Sequence, residues 1–263
     1  MNTLPLKKIT LKKEFILTYY MLKWLMHNDS FKSYEKSLSL MAKNPLVILP
    51  FFISWALPLV LLWAGISLFA GKEGINFYYG NSVIITYAAE IRLFVAFIFS
   101  ALVSALINGI FNAWGYELGA KNTNLKEGWV KSKKHWLGMA ITNLSLLFIA
   151  IILTYPALLI ISVGGKGYWI YTSCALFFYY SISFYSRAIT ISSRSYGFSA
   201  IKKGMKFFYK KLSYNLGNTL IVGIVFLAFS LLMLFPLIYS IFYGIALYPW
   251  VNLFFIKAYL AKK

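Results

Sequence analysis

Ser100, Ser104, Asn108 and Asn112 recur every four residues through an otherwise apolar run, beside Ala101, Ala105 and Gly109. That spacing puts the four polar groups on one ridge of a helix. Two chemistries fit such a ridge. It can supply interhelical hydrogen bonds, each worth about 0.6 kcal/mol inside a bilayer, or it can line a wet path for a solute. Two ionisable groups, Glu90 and Arg92, stand at the entrance of the same run, and Tyr179, Ser183 and Arg187 share a face in a later one. An ionisable residue within a membrane span is by default a site hypothesis. Residues two apart do not face each other on a helix, however. Glu90 and Arg92 are therefore expected to snorkel to the membrane surface, and Arg187 lies close enough to the end of its run to do the same.

Catalytic and metal-binding patterns are missing from the rest of the chain. His27 and His135 lie outside the apolar runs, and neither has a second histidine or a carboxylate at ligand spacing. This argues against a zinc peptidase or a haem site, and no metal or cofactor is expected. Seven Asp+Glu in 263 residues leave little room for paired-carboxylate catalysis. No GxxxxGK[ST] loop is present. Gly164-Gly165-Lys166-Gly167 shares only the composition of one and reads as a connector between spans. The single cysteine, Cys174, excludes an intrachain disulfide and reads as a small packed residue within a span. The chain is expected not to be an enzyme.

The elements that carry these residues follow from composition. With 60% hydrophobic residues, 13% charged and a mean hydropathy of +0.69, the chain cannot present a surface compatible with water, since soluble proteins carry about 25% charged residues. The net charge is +19, from 26 Lys+Arg against 7 Asp+Glu. In a soluble protein this would suggest nucleic acid. Here the charges fall between apolar runs, so the expected partners are anionic phospholipid headgroups, at about 1 kcal/mol per basic residue, or another membrane or cytoplasmic protein. No nucleic-acid partner is expected.

Six apolar runs are long enough to cross a bilayer: about 46–70, 83 or 93–114, 137–161, 168–189, 212–235 and 237–256, the last leading into a basic tail from Lys257 to Lys263. Residues 1–29 read as an uncleaved basic amphipathic extension lying on the membrane surface. Residues 30–263 read as one six-span domain. Within it, Ser37-Leu38, Gly128-Trp129 and Gly204-Met205 align as a small residue followed by a large apolar one, with a lysine six positions after the small residue: Lys43, Lys134 and Lys210. A span follows each. The fold expected is therefore an all-α membrane protein built from three tandem repeats (about 30–114, 121–191 and 195–260), each a basic interfacial helix and two spans. Lys43, Lys134 and Lys210 are its expected anionic-lipid contacts.

With six spans, all of the 26 Lys+Arg except Lys72, Arg92 and Lys166 fall on one side. The positive-inside rule makes that side cytoplasmic, so both termini are expected in the cytoplasm and the protein in the cell membrane.

The segment from Phe31 to Pro50, in which Lys43-Asn44-Pro45 runs directly into a span bearing Pro50, resembles the start of the repeat unit in prokaryotic six-helix membrane families. These include the YciC-like family and the membrane domain found beside some glycerophosphodiester phosphodiesterases. The resemblance spans most of the chain and implies the six-helix fold. It implies no activity and carries over no site residue, and the phosphodiesterase catalytic domain has no counterpart here. Three two-span repeats also resemble mitochondrial-type carriers in architecture alone. Pro156 and Pro236 are followed by apolar residues rather than by the carriers' gating charges. The expected function is a non-enzymatic accessory or scaffold protein with a basic cytoplasmic face. The alternative is a transporter of a small or amphipathic solute, with a path along the polar faces of the second and fourth spans.

Overall fold

The computed structural model describes residues 29–69, 87–162, 168–229 and 236–263. The expected extension at 1–28, the Gly/Asn-rich loop near 71–82 and the glycine connector at 164–167 lie outside the described residues, as do the side chains of Glu90 and Cys174. What is described is almost entirely helical. Four helices are long and apolar enough to cross a membrane, at Pro45–Phe69, Ile91–Lys121, Trp136–Pro156 and Ile238–Lys262, and the shorter Leu212–Phe226 is apolar as well. This is the make-up of a multi-pass membrane protein.

Helix α1 (Asp29–Lys43) turns a face of serines inward. Ser30, Ser33 and Ser37 are fully buried, and small side chains at that spacing let its backbone approach the C-terminal helix closely. Asn44-Pro45 ends α1 as the sequence suggests, and a short 3-10 turn, Pro45–Val47, leads into α2 (Ile48–Phe69). Pro50 sits in the first turn of α2. Pro58 lies inside it and deprives the Ser54 carbonyl of its usual helical donor.

Helix α3 (Tyr87–Lys121) runs seven residues beyond the predicted span end at Trp114. It stops where Asn122 takes a left-handed φ of 52° and donates its N–H to the Leu118 carbonyl. Two glycines set its neighbours. A Cβ on Gly109 would come within 2.8 Å of the Ala140 backbone nitrogen, and one on Gly65 of α2 would collide with Ser100. The loop to α4 (Leu125–Ser132) is capped by Asn124, whose side chain accepts from the Glu127 N–H at 2.9 Å. Helices α5 (Trp136–Ser162), α6 (Tyr168–Ser193) and the basic α7 (Gly197–Lys210) pack in sequence. Thr142 meets Thr190 at 3.0 Å between α5 and α6, and Gly204 of α7 sits against Ser186 of α6.

Helix α8 (Leu212–Phe229) is fully covered only near its start, and further on it touches the final helix through Phe226 on Tyr243 and Phe229 on Phe242. Tyr214, Asn215, Asn218 and Ile221 are buried, whereas Gly223 and Ile224 are exposed. The final helix begins as α9 (Pro236–Phe242), widens into a π turn at Tyr243–Leu247 and continues as α10 (Tyr248–Lys262). Pro249 sits just after the π turn and cannot donate to the ladder, which accounts for the local widening. The predicted basic tail is thus a correction: Lys257 and Lys262 belong to the last turns of α10. This helix is buried almost all round, so it is the core of the molecule and not a lipid-facing span along its whole length. Phe51, Tyr116, Tyr185 and Phe208 join its own Phe254 in one apolar cluster. Toward the other end of α2, α3 and α5, Leu68, Phe94, Phe99, Phe148 and Ile151 are exposed, as side chains facing lipid would be.

A polar triangle ties α8 to this core. The Tyr185 hydroxyl donates to Asn215 Oδ1 at 2.6 Å and accepts from Asn218 Nδ2 at 3.0 Å, all three groups being buried. Tyr185→Phe leaves two buried amide atoms unpaired and is expected to destabilise the protein by about 2 kcal/mol. Thermal unfolding in detergent checks this, with hydrogen exchange expected to rise in α8 first.

Candidate functional site

An open cavity of about 490 Å³ lies between α2, α3, α5, α6 and the 236–262 helix, with apolar walls that include Pro58, Leu62 and Phe97 and a set of polar groups gathered on one side. Its α3 wall is the ridge found in the sequence. The four residues divide into two pairs. Ser100 donates to the Leu61 carbonyl at 2.9 Å, and Asn112 Oδ1 accepts from Ser54 Oγ at 2.8 Å, so these two join α3 to α2. Ser104 Oγ and Asn108 Oδ1 are at least nine-tenths buried, line the cavity and have no hydrogen-bond partner among the described residues. Such orphaned groups cost roughly 1–3 kcal/mol each unless something unseen completes them.

Arg187 reaches the same cavity from α6. The side chain is half-buried. Its Nε donates to Asn143 Oδ1 at 3.0 Å, and the Tyr116 hydroxyl lies beside the guanidinium. Both partners are neutral, and no carboxylate among the described side chains pairs with it. Asn143 in turn reaches the Ala105 carbonyl of α3 through Nδ2 at 3.5 Å. Tyr179, Tyr180, Tyr243 and Tyr248 complete the wall around the cation. Gly244 allows Trp55 of α2 to lie against the π turn, where any Cβ would clash with the indole. A π turn rotates the following side chains relative to an α-helix, and this one places Tyr243 and Tyr248 on the cavity.

Arg92 is exposed on α3 and is not among the residues lining the cavity, so the structure does not bring it to Arg187. Lys43, Lys134 and Lys210 are all exposed. Lys43 lines a separate cleft of about 730 Å³ with Lys36 of α1 and Lys257 of α10. Lys257 Nζ donates to Asn122 Oδ1 at 2.7 Å, which joins the end of α3 to the last helix.

A second polar cluster lies at the end of α3. Glu117 is fully buried, with Lys121 Nζ 2.9 Å from Oε2 and His135 Nε2 3.3 Å from Oε1. Burial holds the His135 imidazole below its ordinary pKa. The Glu117 carboxylate opposes this, and the charges of Lys121, Arg194 and Lys134 add to it. The Glu117 cluster locks the α4–α5 junction to α3.

Sequence reasoning missed Asn143, Tyr243, Tyr248 and Glu117 as partners. A lone asparagine inside the apolar 137–161 run was a usable signal for the first, and the Glu117, Lys121 spacing of four for the last. The tyrosines depend on the π turn, which leaves no pattern in the sequence. Comparison with protein family models, with curated proteins and with solved structures finds no match to this chain.

Proposed function

We propose that the protein binds and moves a small or amphipathic solute within the membrane, through the cavity formed by Ser104, Asn108, Asn143 and Arg187. The observation that carries this reading is the cation. A half-buried guanidinium held by neutral partners, beside two orphaned polar groups and among apolar helices, is costly in a purely structural protein. It is reasonable in a site that a solute fills. The surrounding frame is six spans in three tandem repeats, with the basic face and both termini in the cytoplasm. Burial of the aligned small residues Ser37, Gly128 and Gly204, with Lys43, Lys134 and Lys210 exposed, supports that repeat.

A second reading, a scaffold docking anionic lipid or a partner on its basic face, is favoured by the cleft that gathers Lys36, Lys43 and Lys257. Solvent extraction and mass spectrometry of the purified protein separate the two. The wild type is expected to carry about one small molecule or amphiphile per chain, and the Ser104→Leu/Asn108→Leu variant, eluting at the same volume, to have lost it. Equal content in both samples, or an empty wild type that copurifies with a defined protein, would leave the scaffold reading standing.

A further inference from the structure

Two voids meet at a pair of tyrosines. Tyr180 and Tyr243 line the polar cavity of Arg187, and the same two residues line a second cleft of about 580 Å³ between α6, α8 and the final helix. The walls of this second cleft are apolar, with Phe184, Val222, Phe226, Val251 and Phe255 prominent. Its α8 side includes Gly223, where an added Cβ would meet nothing within 4 Å. The cleft is open on the side of Gly223, while Phe226 of α8 touches Tyr243 across it. One void supplies a cation and unpaired polar groups, the other an apolar cleft of about 580 Å³, and Tyr180 and Tyr243 line both.

On the reading of the cavity as a solute site, we infer that its ligand is a single-chain amphiphile with an anionic oxyacid head. The head, a carboxylate or a phosphate, lies against Arg187, whose planar fork of donors suits either group. No carboxylate among the described side chains competes for that fork. Ser104 and Asn108 complete the polar end. The chain passes between Tyr180 and Tyr243 and lies in the cleft between α6 and α8, where it replaces membrane lipid. A tyrosine pair suits such a threshold because each ring offers an apolar body and a polar tip. A ligand of this kind enters sideways from the bilayer, in which it is already dissolved.

The test is photolabelling of the full-length protein in lipid nanodiscs with a fatty acid bearing a mid-chain diazirine, followed by peptide mapping. Label is expected on the peptides containing Phe184 and Phe226. Excess dodecanoate or dodecyl phosphate is expected to suppress it at least tenfold, while acetate, inorganic phosphate and the neutral dodecyl maltoside leave it intact. These arms use the wild-type chain and do not depend on any variant folding. If only one of the two long-chain anions competes, the head group is identified. Arg187→Gln is expected to lower labelling about tenfold, and Gly223→Trp to remove it from the cleft. Competition by acetate or inorganic phosphate as strong as by the long chains would overturn the amphiphile while leaving a small-anion cavity in place. Labelling indifferent to the charge of the competitor would overturn the role of Arg187. Failure of the cavity itself would appear separately, as identical extracts from the wild type and the Ser104→Leu/Asn108→Leu variant.

Discussion

Arg187→Met is expected to empty the cavity without unfolding the protein. Losing a desolvated guanidinium that pairs with a bound anion costs about 3 kcal/mol, or roughly a hundredfold in affinity, so the extracted sample should hold almost none of the occupant retained by the wild type. Stability should move the other way or hardly at all. Among the described residues the guanidinium has only neutral partners, Asn143 and Tyr116, and replacing a poorly compensated, half-buried charge with an apolar side chain of similar length is often neutral or stabilising. The unfolding temperature of Arg187→Met in detergent is therefore expected to lie within a few degrees of the wild type or above it. A collapse in stability with the occupant retained would make Arg187 a structural post and not a receptor. Arg187→Lys keeps the charge but loses the planar fork, so part of the occupancy is expected to return.

Glu117→Leu is expected to show the opposite balance. Glu117 touches no part of the cavity, yet it is fully buried and holds Lys121 and His135 together. Lys121 is half exposed and can turn to water. His135 cannot: Nδ1 already lacks a partner, and removing the carboxylate strands Nε2 as well. The expected loss is about 3 kcal/mol, read as a lower unfolding temperature, with proteolysis appearing first in the α4–α5 junction. The same cluster sets a pH dependence. The folded protein keeps His135 neutral because burial depresses its pKa, so the unfolded chain takes up a proton more readily. Stability from this group is fully present above the ordinary imidazole pKa and is lost as the pH falls through it. Melting between pH 7.5 and 5.5 should show a decline in the wild type that His135→Gln flattens. A wild type that gains stability over that range would contradict the assignment.

What the sequence could reveal, and what it could not, follows from how far each signal is local. Asn44-Pro45 marked a helix boundary, because proline restricts its neighbour whatever the tertiary structure, and the structure places the break there. The four-residue spacing of Ser100, Ser104, Asn108 and Asn112 marked a single ridge, because helical period is also local, and three of the four turned out well buried with the fourth close behind. Whether those groups were bonds or cavity wall depended on what stood opposite. Ser54 and the Leu61 carbonyl satisfy two of them, and nothing among the described residues satisfies the other two, which only the fold decides. Arg187 shows the same limit. Its distance from the helix end permits snorkelling, but its bond to Asn143, 44 residues away in the chain, is visible only in the fold. The last helix shows what hydropathy leaves open. Its apolar stretch reads as one more span, and the helix is long and apolar enough for one, but only the fold shows that Trp250 to Tyr259 form the packed centre of the molecule.

The most direct test of the cavity uses the single native cysteine, Cys174, replaced by serine as a background. Ser104→Cys and Asn108→Cys are then exposed to a charged, membrane-impermeant methanethiosulfonate in nanodiscs, with the lipid-facing Leu102→Cys as control. Both cavity positions are expected to react at least tenfold faster than position 102, and added dodecanoate to slow them. Cavity cysteines as inert as the one at position 102 would mean that the polar ridge is sealed within the bundle, and that Arg187 faces no solute at all.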